Sequence, residues 1–309
     1  MVGGALVVRA FEDYAQQSAY SDPGKYATLL DPLPTDIRAL TAVVRNVLVH
    51  YRAAGIDFQG KRLAEIDSRW VEHILATDQS RHDAPLSEPR TQYERVATCC
   101  RDYTLLTVAA LRHRGVPARS RVGFAEYFET GFSSDHVIVE HWNGDRWVFT
   151  DAELEPGERW SFDPADIPYL VGAEPASEPH FRTAAQAWVA FRAGDLDADR
   201  YGVAPDLPYR GDWFIRNYVL IELAHRQRDE LLLWDNWGVM GNDLSGDLGL
   251  IDEIAAQLLA ADDGDDAAER ELAERYAADP ALHPGEQVLC TSPTGILAKV
   301  DLTTRQPTI

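Results

Sequence analysis

The sequence predicts an α+β fold, and three local patterns carry that prediction. After Cys100, apolar residues recur at helical spacing through Tyr103, Leu106 and Ala110, with Leu105 and Ala109 widening the stripe. Two β-rich runs, residues 136–142 and 145–151, are separated by Asn143-Gly144, a strong short-range hairpin signal. Helical periodicity recurs on both sides of this stretch, so a helix packed on an antiparallel hairpin is expected to sit among additional helical regions.

Taken in order, residues 1–9 read as a strand and residues 20–24 as a turn. A helix N-capped by Thr35 follows, with Ile37, Leu40, Val44, Val47, Leu48 and Tyr51 on its apolar face and Gly55 as its stop. A second helix is expected over 63–75, with Ile66, Trp70 and Ile74 nearly four apart, and then a loop over 79–90 containing Pro85 and Pro89. Thr98 is the expected N-cap of the helix that carries Cys100, with Asp102 in its first turn. Basic residues, Gly115 and Pro117 end that helix. In the strand over 116–124, Ala118, Ser120, Val122 and Phe124 share one face; residues 126–135 read as a loop. After the hairpin, helical patterns occupy 183–193, 213–234, 250–259 and 267–276, and a small β hairpin turns at 292–295 within 286–302. The expected division is a mainly helical part over 1–90, a core over 91–160 that carries the Cys100 helix and the hairpin, and a mainly helical accessory region with a C-terminal hairpin over 161–309.

The chemistry of the central stretch follows from where its side chains fall. At a helix start, unpaired N–H groups and the positive end of the macrodipole favour a thiolate, so Cys100 is expected to be an activated nucleophile. The same N–H groups are suited to hold the oxyanion formed on attack at a carbonyl. With Asn143-Gly144 as a two-residue loop, Trp142 opposes Asp145 and His136 opposes Asp151, on one face of the sheet. If the loop were Gly144-Asp145, His136 would face Glu153 instead. A thiol, an imidazole and an orienting carboxylate together have the logic of a catalytic triad.

The run Cys-Arg-Asp-Tyr from Cys100, Leu-Arg-His-Arg-Gly-Val-Pro-Ala-Arg from Leu111, Asp-His-Val-Ile-Val-Glu from Asp135 and Arg-Trp-Val-Phe-Thr-Asp from Arg146 resembles the core of the transglutaminase-like superfamily over about residues 96–154. The resemblance implies a papain-like helix-plus-sheet core with Cys100 as nucleophile, His136 as base and Asp151 as orienter. It implies a cysteine acyltransferase or hydrolase that opens an amide, carboxamide or thioester through an acyl-enzyme resolved by an amine or water. Alternatives are a cysteine peptidase or amidase, and a non-catalytic peptide-binding member; a buried Cys100, or a His136 turned away from it, would favour the last. Cys99 stands where many members carry a small residue and is expected to point elsewhere, while Val137 and Ile138 replace a small residue and an aromatic. Gln92 is a candidate oxyanion donor by type and position. Trp70, His225 and Trp237 are candidates for substrate binding, with Asp229 and Asp235 beside them, although a buried aromatic or solvated helix face explains such residues more simply.

Composition bounds the partners. Fifty acidic against 29 basic residues give a net charge of −21, which argues against nucleic acid or an anionic membrane. A small-molecule or peptide acyl substrate, and an amine acceptor, fit better. Three cysteines supply no disulfide framework, and a free thiol suits a reducing, cytoplasmic setting. The apolar start lacks the basic flank of a secretion signal, and no run is long enough for a membrane span. No cofactor is implied. The Cys and His residues fall in no paired metal-ligand spacing, and the acidic run 260–266 lacks the closing Glu of a calcium loop, so no metal site is expected.

Overall fold

The computed structural model describes residues 11–157, 159–168 and 180–308. The strand expected over residues 1–9 lies outside them. Helix α1 (Ile37–Val47) passes directly into strand β1 (Leu48–His50), followed by the short α2 (Gly60–Leu63) and by α3 (Val71–Arg81). Strand β2 (Val96–Thr98) leads into α4 (Cys100–His113), and β3 (Ala118–Glu129), β4 (Phe132–Trp142) and β5 (Trp147–Thr150) form a meander. Beyond it lie β6 (Phe181–Thr183), α5 (Ala184–Ala193), β7 (Tyr201–Gly202), α6 (Asp212–Arg226), β8 (Asp235–Asn236), α7 (Leu248–Asp262) and α8 (Asp266–Ala278). The described chain closes with β9 (Gln287–Thr291), β10 (Leu297–Asp301) and β11 (Gln306–Thr308).

The central sheet runs β5-β4-β3-β6 in antiparallel order, with β7 parallel to the start of β4. A second sheet, β11-β10-β9-β8, contains the expected C-terminal hairpin. Strands β1 and β2 pair in parallel, with His50 opposite Thr98. Helix α4 is buried from Cys100 through Arg112, as a helix enclosed by other elements must be. Its buried charges are paired: Arg101 with Asp102 at 2.7 Å and Arg112 with Glu230 at 2.7 Å. Arg101 also donates to the carbonyl oxygens of Arg69 and Glu230, tying the segments before and after the hairpin to one helix. A single apolar cluster includes Leu40, Ile74, Leu106, Val137, Trp188, Leu220 and Val300, so residues from all three expected divisions share a core.

Several boundaries differ from the sequence expectation for local reasons. Asp36, not Thr35, caps α1 by accepting the Ala39 N–H at 2.9 Å, and residues 48–50 leave the helix to pair with β2. The helix expected over 63–75 is broken: Trp70 is extended and becomes the N-cap of α3. The loop expected over 126–135 is largely strand, since β3 continues to Glu129 and turns at Gly131 into β4. The pattern over 213–234 stops as helix at Arg226, with Arg228 in the left-handed region, although Leu231 and Leu232 remain buried. By contrast, α5 ends where expected and starts one residue later, with Thr183 as its N-cap in a Thr183/Gln186 capping box and Gly194 left-handed at its end.

Candidate active site

Strand β2 delivers the chain into α4 with Cys99 still extended and Cys100 as the first helical residue. Thr98 is occupied in pairing with β1, so the N-cap is Cys99, whose N–H donates to Asp102 Oδ2 at 3.2 Å. Arg101 holds the other oxygen of Asp102, which fixes the first turn. One turn beyond Cys100, the Thr104 hydroxyl donates to the carbonyl oxygen of Val137 at 2.8 Å. That bond docks the start of α4 beside the segment of β4 that carries His136.

His136 and Asp151 are buried and joined by an Nε2···Oδ2 hydrogen bond of 2.7 Å. The pair forms, but not in the expected register. Trp142 opposes Trp147, Asn143 N–H donates to the Arg146 carbonyl at 3.1 Å, and the two-residue loop is Gly144-Asp145. The physical cause lies in the turn: Gly144 takes a positive φ of 104° at the first central position, and Asn143 Oδ1 accepts the N–H groups of Asp145 and Arg146. Continued past Thr150, this register would set Glu153 across from His136. The strand ends at Thr150, the Asp151 N–H turns to the Pro164 carbonyl, and the Asp151 side chain reaches His136 diagonally.

The Asp151 carboxylate also accepts from the Tyr127 hydroxyl at 2.7 Å and from the Glu153 N–H at 3.0 Å. Burial alone would raise its pKa, but His136 and these donors outweigh burial and hold it below the usual carboxylate value. For His136, burial alone would lower the pKa, and Asp151, then Glu153 and Asp135, outweigh it and hold the imidazole above 6.5. An ionised Asp151 places the ring proton on Nε2 and leaves Nδ1 as an acceptor.

The thiol departs from the expectation. Cys100 is 6% exposed, and its pKa is raised well above the ordinary thiol value by its hydrogen bond with Cys99, then by burial, then by Cys99, Asp135 and Glu153 as negative neighbours. The helix start is therefore outweighed by what surrounds it. Among the described residues no hydrogen bond joins Cys100 to His136, and Cys99, expected to point elsewhere, is the partner of the resting thiol.

Other groups converge here: Glu153, the carboxylate expected opposite His136 for a Gly144-Asp145 loop, and several that sequence reasoning did not single out. Glu153 is pushed up to about 7, chiefly by burial, with Asp151 adding to the shift and His136 opposing it. Asp135 accepts from the Tyr218 hydroxyl of α6. The rings of Tyr127 and Phe128 meet His136 edge-on, Phe128 at 4.9 Å between centroids, and Trp160 and Phe162 pack beyond them. These aromatics border an open cleft of about 980 Å³ that also includes Glu126, Arg182 and Arg200. The adjacent Tyr127-Phe128 pair at the end of β3 was the available signal for this wall.

The remaining candidates lie elsewhere. Gln92 is exposed and donates to the Ala54 carbonyl oxygen at 3.1 Å. Trp70 is buried, stacked on Tyr20 at 6.4 Å. His225 is fully buried and pushed down to about 3 by burial first; its Nε2 meets the Leu231 carbonyl at 3.0 Å and its Nδ1 the Ser120 hydroxyl at 2.8 Å, so both nitrogens are structural. Trp237 is buried and donates to the Leu282 carbonyl at 2.7 Å, Asp229 accepts from Tyr276, and Asp235 pairs with Arg69 at 2.6 Å. The described residues contain no group of three or more His, Cys, Asp or Glu side chains able to hold a metal ion, and no helix among them is long and apolar enough to cross a membrane.

Residues 62–152 match the family model of the transglutaminase-like superfamily, a segment that contains Cys100, His136 and Asp151. A solved structure from Cytophaga hutchinsonii, described as a "Putative Cysteine Protease", aligns at 18% identity and a TM-score of 0.31, over 45% of this chain and 40% of that one. The chain thus spans less than half the length of that protein. No curated protein matches the chain.

Proposed function

From the premise that the chain carries a transglutaminase-like core, we propose that it is a cysteine enzyme in which Cys100 attacks an amide, carboxamide or thioester carbonyl. The observation that supports this reading is the buried His136–Asp151 bond at 2.7 Å, which leaves His136 Nδ1 able to accept a proton. His136 takes the thiol proton as the Cys100 side chain turns from Cys99 toward it, and Asp151 steadies the imidazolium. The tetrahedral adduct then collapses to a thioester acyl-enzyme as His136 returns the proton to the leaving group. An amine or water attacks the thioester, with His136 again as base. The acid-rich surroundings of the thiol, Asp135 and then Glu153, suit a cationic amine acceptor.

Incubation with p-nitrophenyl acetate, followed by peptide mass spectrometry, tests the reading. Wild type is expected to gain one acetyl group on the Cys100 peptide, and His136→Ala to gain it about 10²-fold more slowly or worse. No acetylation of Cys100 would refute the assignment. The burial of Cys100 and its partnership with Cys99 favour a second reading, a non-catalytic peptide-binding member of the fold, and the same absence of acetylation would support it.

A further inference from the structure

Attack by Cys100 generates a negative oxygen that needs donors, and Gln92 is engaged elsewhere. The chain places another donor close to the nucleophile. His50 ends β1, directly opposite Thr98, two residues before Cys100. The following Tyr51 N–H donates to the Thr98 carbonyl at 2.9 Å, which locks this end of β1 to the strand that delivers the nucleophile. The Tyr51 ring stacks on His50 at 5.4 Å and lies close enough to Cys99 and Cys100 for their charge to bear on its phenol.

The tautomer of His50 is fixed by its surroundings. Its Nδ1 accepts the backbone N–H groups of Arg52 and Ala53, each at 3.2 Å, so the ring proton resides on Nε2. Burial first, then His136 and Arg52, push the ring down to about 4, so near neutral pH it is a neutral donor that does not compete with His136 for the thiol proton. The edge bearing Nε2 faces away from the Arg52–Ala53 turn, and the fields of His136 and Asp102 both act on the ring. Among the described residues, Nε2 has no hydrogen-bond partner.

We propose that the His50 Nε2–H is a side-chain oxyanion donor for the adduct formed at Cys100, acting with the Cys100 backbone N–H. This rests on the nucleophile assignment above. As the Sγ–C bond forms, the carbonyl π pair moves onto oxygen and is held by the two N–H groups. When the pair returns, the C–O or C–N bond to the leaving group breaks, and the leaving group takes the proton from His136 if it needs one.

Two probes separate this role from simple support of the thiol. Acetylation of Cys100 by p-nitrophenyl acetate passes through an oxyanion, whereas alkylation by iodoacetamide is a displacement at saturated carbon and does not. His50→Ala is expected to slow acetylation about 10²- to 10³-fold while leaving the rate and pH profile of alkylation within about twofold of wild type. His50→Gln, which keeps an N–H donor, is expected to recover at least about tenfold of that loss and also guards against a folding defect. Undiminished acetylation in His50→Ala, or an equal fall in acetylation and alkylation in both variants, overturns the donor role. A wild type that is never acetylated on Cys100 overturns the nucleophile assignment and this proposal with it.

Discussion

At the scale of single residues, the site turns on a competition around one sulfur. A helix N-terminus contributes up to about 2 kcal/mol toward a thiolate, whereas Cys100 is enclosed, bonded to Cys99 and faced by Asp135 and Glu153. The neighbours win, so the resting group is a thiol, and the proposed mechanism assigns its activation to His136. This yields a direct expectation for Cys99→Ala, which removes the largest cause of the raised pKa. Thiolate population and alkylation rate rise together as pH climbs through a thiol pKa, so lowering that pKa should make Cys100 alkylate several-fold faster at about pH 7.5. An unchanged rate would show that Cys99 does not restrain the nucleophile. The His136–Asp151 pair itself was legible in the sequence because both residues occur near the open end of a recognisable hairpin. The Cys99–Cys100 partnership was not, because adjacent residues in an extended-to-helical junction give no pattern that reveals where each thiol turns.

At the scale of elements, register decides what the strands present. The Asn143-Gly144 signal located the hairpin, but the side chain of Asn143 captures two N–H groups and draws Gly144 into the first central position, shifting the pairing by two residues. A shift of two preserves the face of every side chain. That is why the His–Asp pair survived as a diagonal contact while Glu153 moved close enough to feel both partners. Strand β3 illustrates the opposite limit. Gly123, paired with His136 on one side and Thr183 on the other, offers no pattern signal, yet a Cβ there would land on the Arg182 carbonyl oxygen. Gly123→Ala should therefore destabilise the fold by about 1–3 kcal/mol in urea titrations, through loss of the β3–β6 pairing. Unfolding at the wild-type midpoint would show that β6 yields without cost.

At the scale of the whole molecule, the accessory helices are bound to the core sheet by buried charge as well as by apolar contact. Arg121 of β3 bonds to Asp262 of α7 at 2.5 Å and to Glu222 of α6 at 3.1 Å, while Arg119 and Arg121 share Glu140 of β4. Arg226 of α6 reaches the same Asp262 and Glu269 of α8. Buried pairs of this kind contribute little net stability but are costly to break singly, which favours one docking of the helices over others. The sequence disclosed the helices through their periodicity. It did not disclose this network, because the alternation of Arg119 and Arg121 along one strand does not show that α6, α7 and α8 pack over them. The result is a fold that holds α4 against β4 from both sides of the sequence. The central claim, that His136 is the base for Cys100, is tested most directly by the pH dependence of Cys100 alkylation by iodoacetamide in wild type and His136→Ala, read by peptide mass spectrometry. The account predicts that wild type alkylates at neutral pH, with a rate that rises as the His136 imidazolium loses its proton above about 6.5. In His136→Ala that limb should vanish, leaving alkylation about 10²-fold slower near neutrality and confined to pH above the free-thiol value of about 8.5. Identical profiles in the two proteins, or labelling of Cys99 alone, would contradict it.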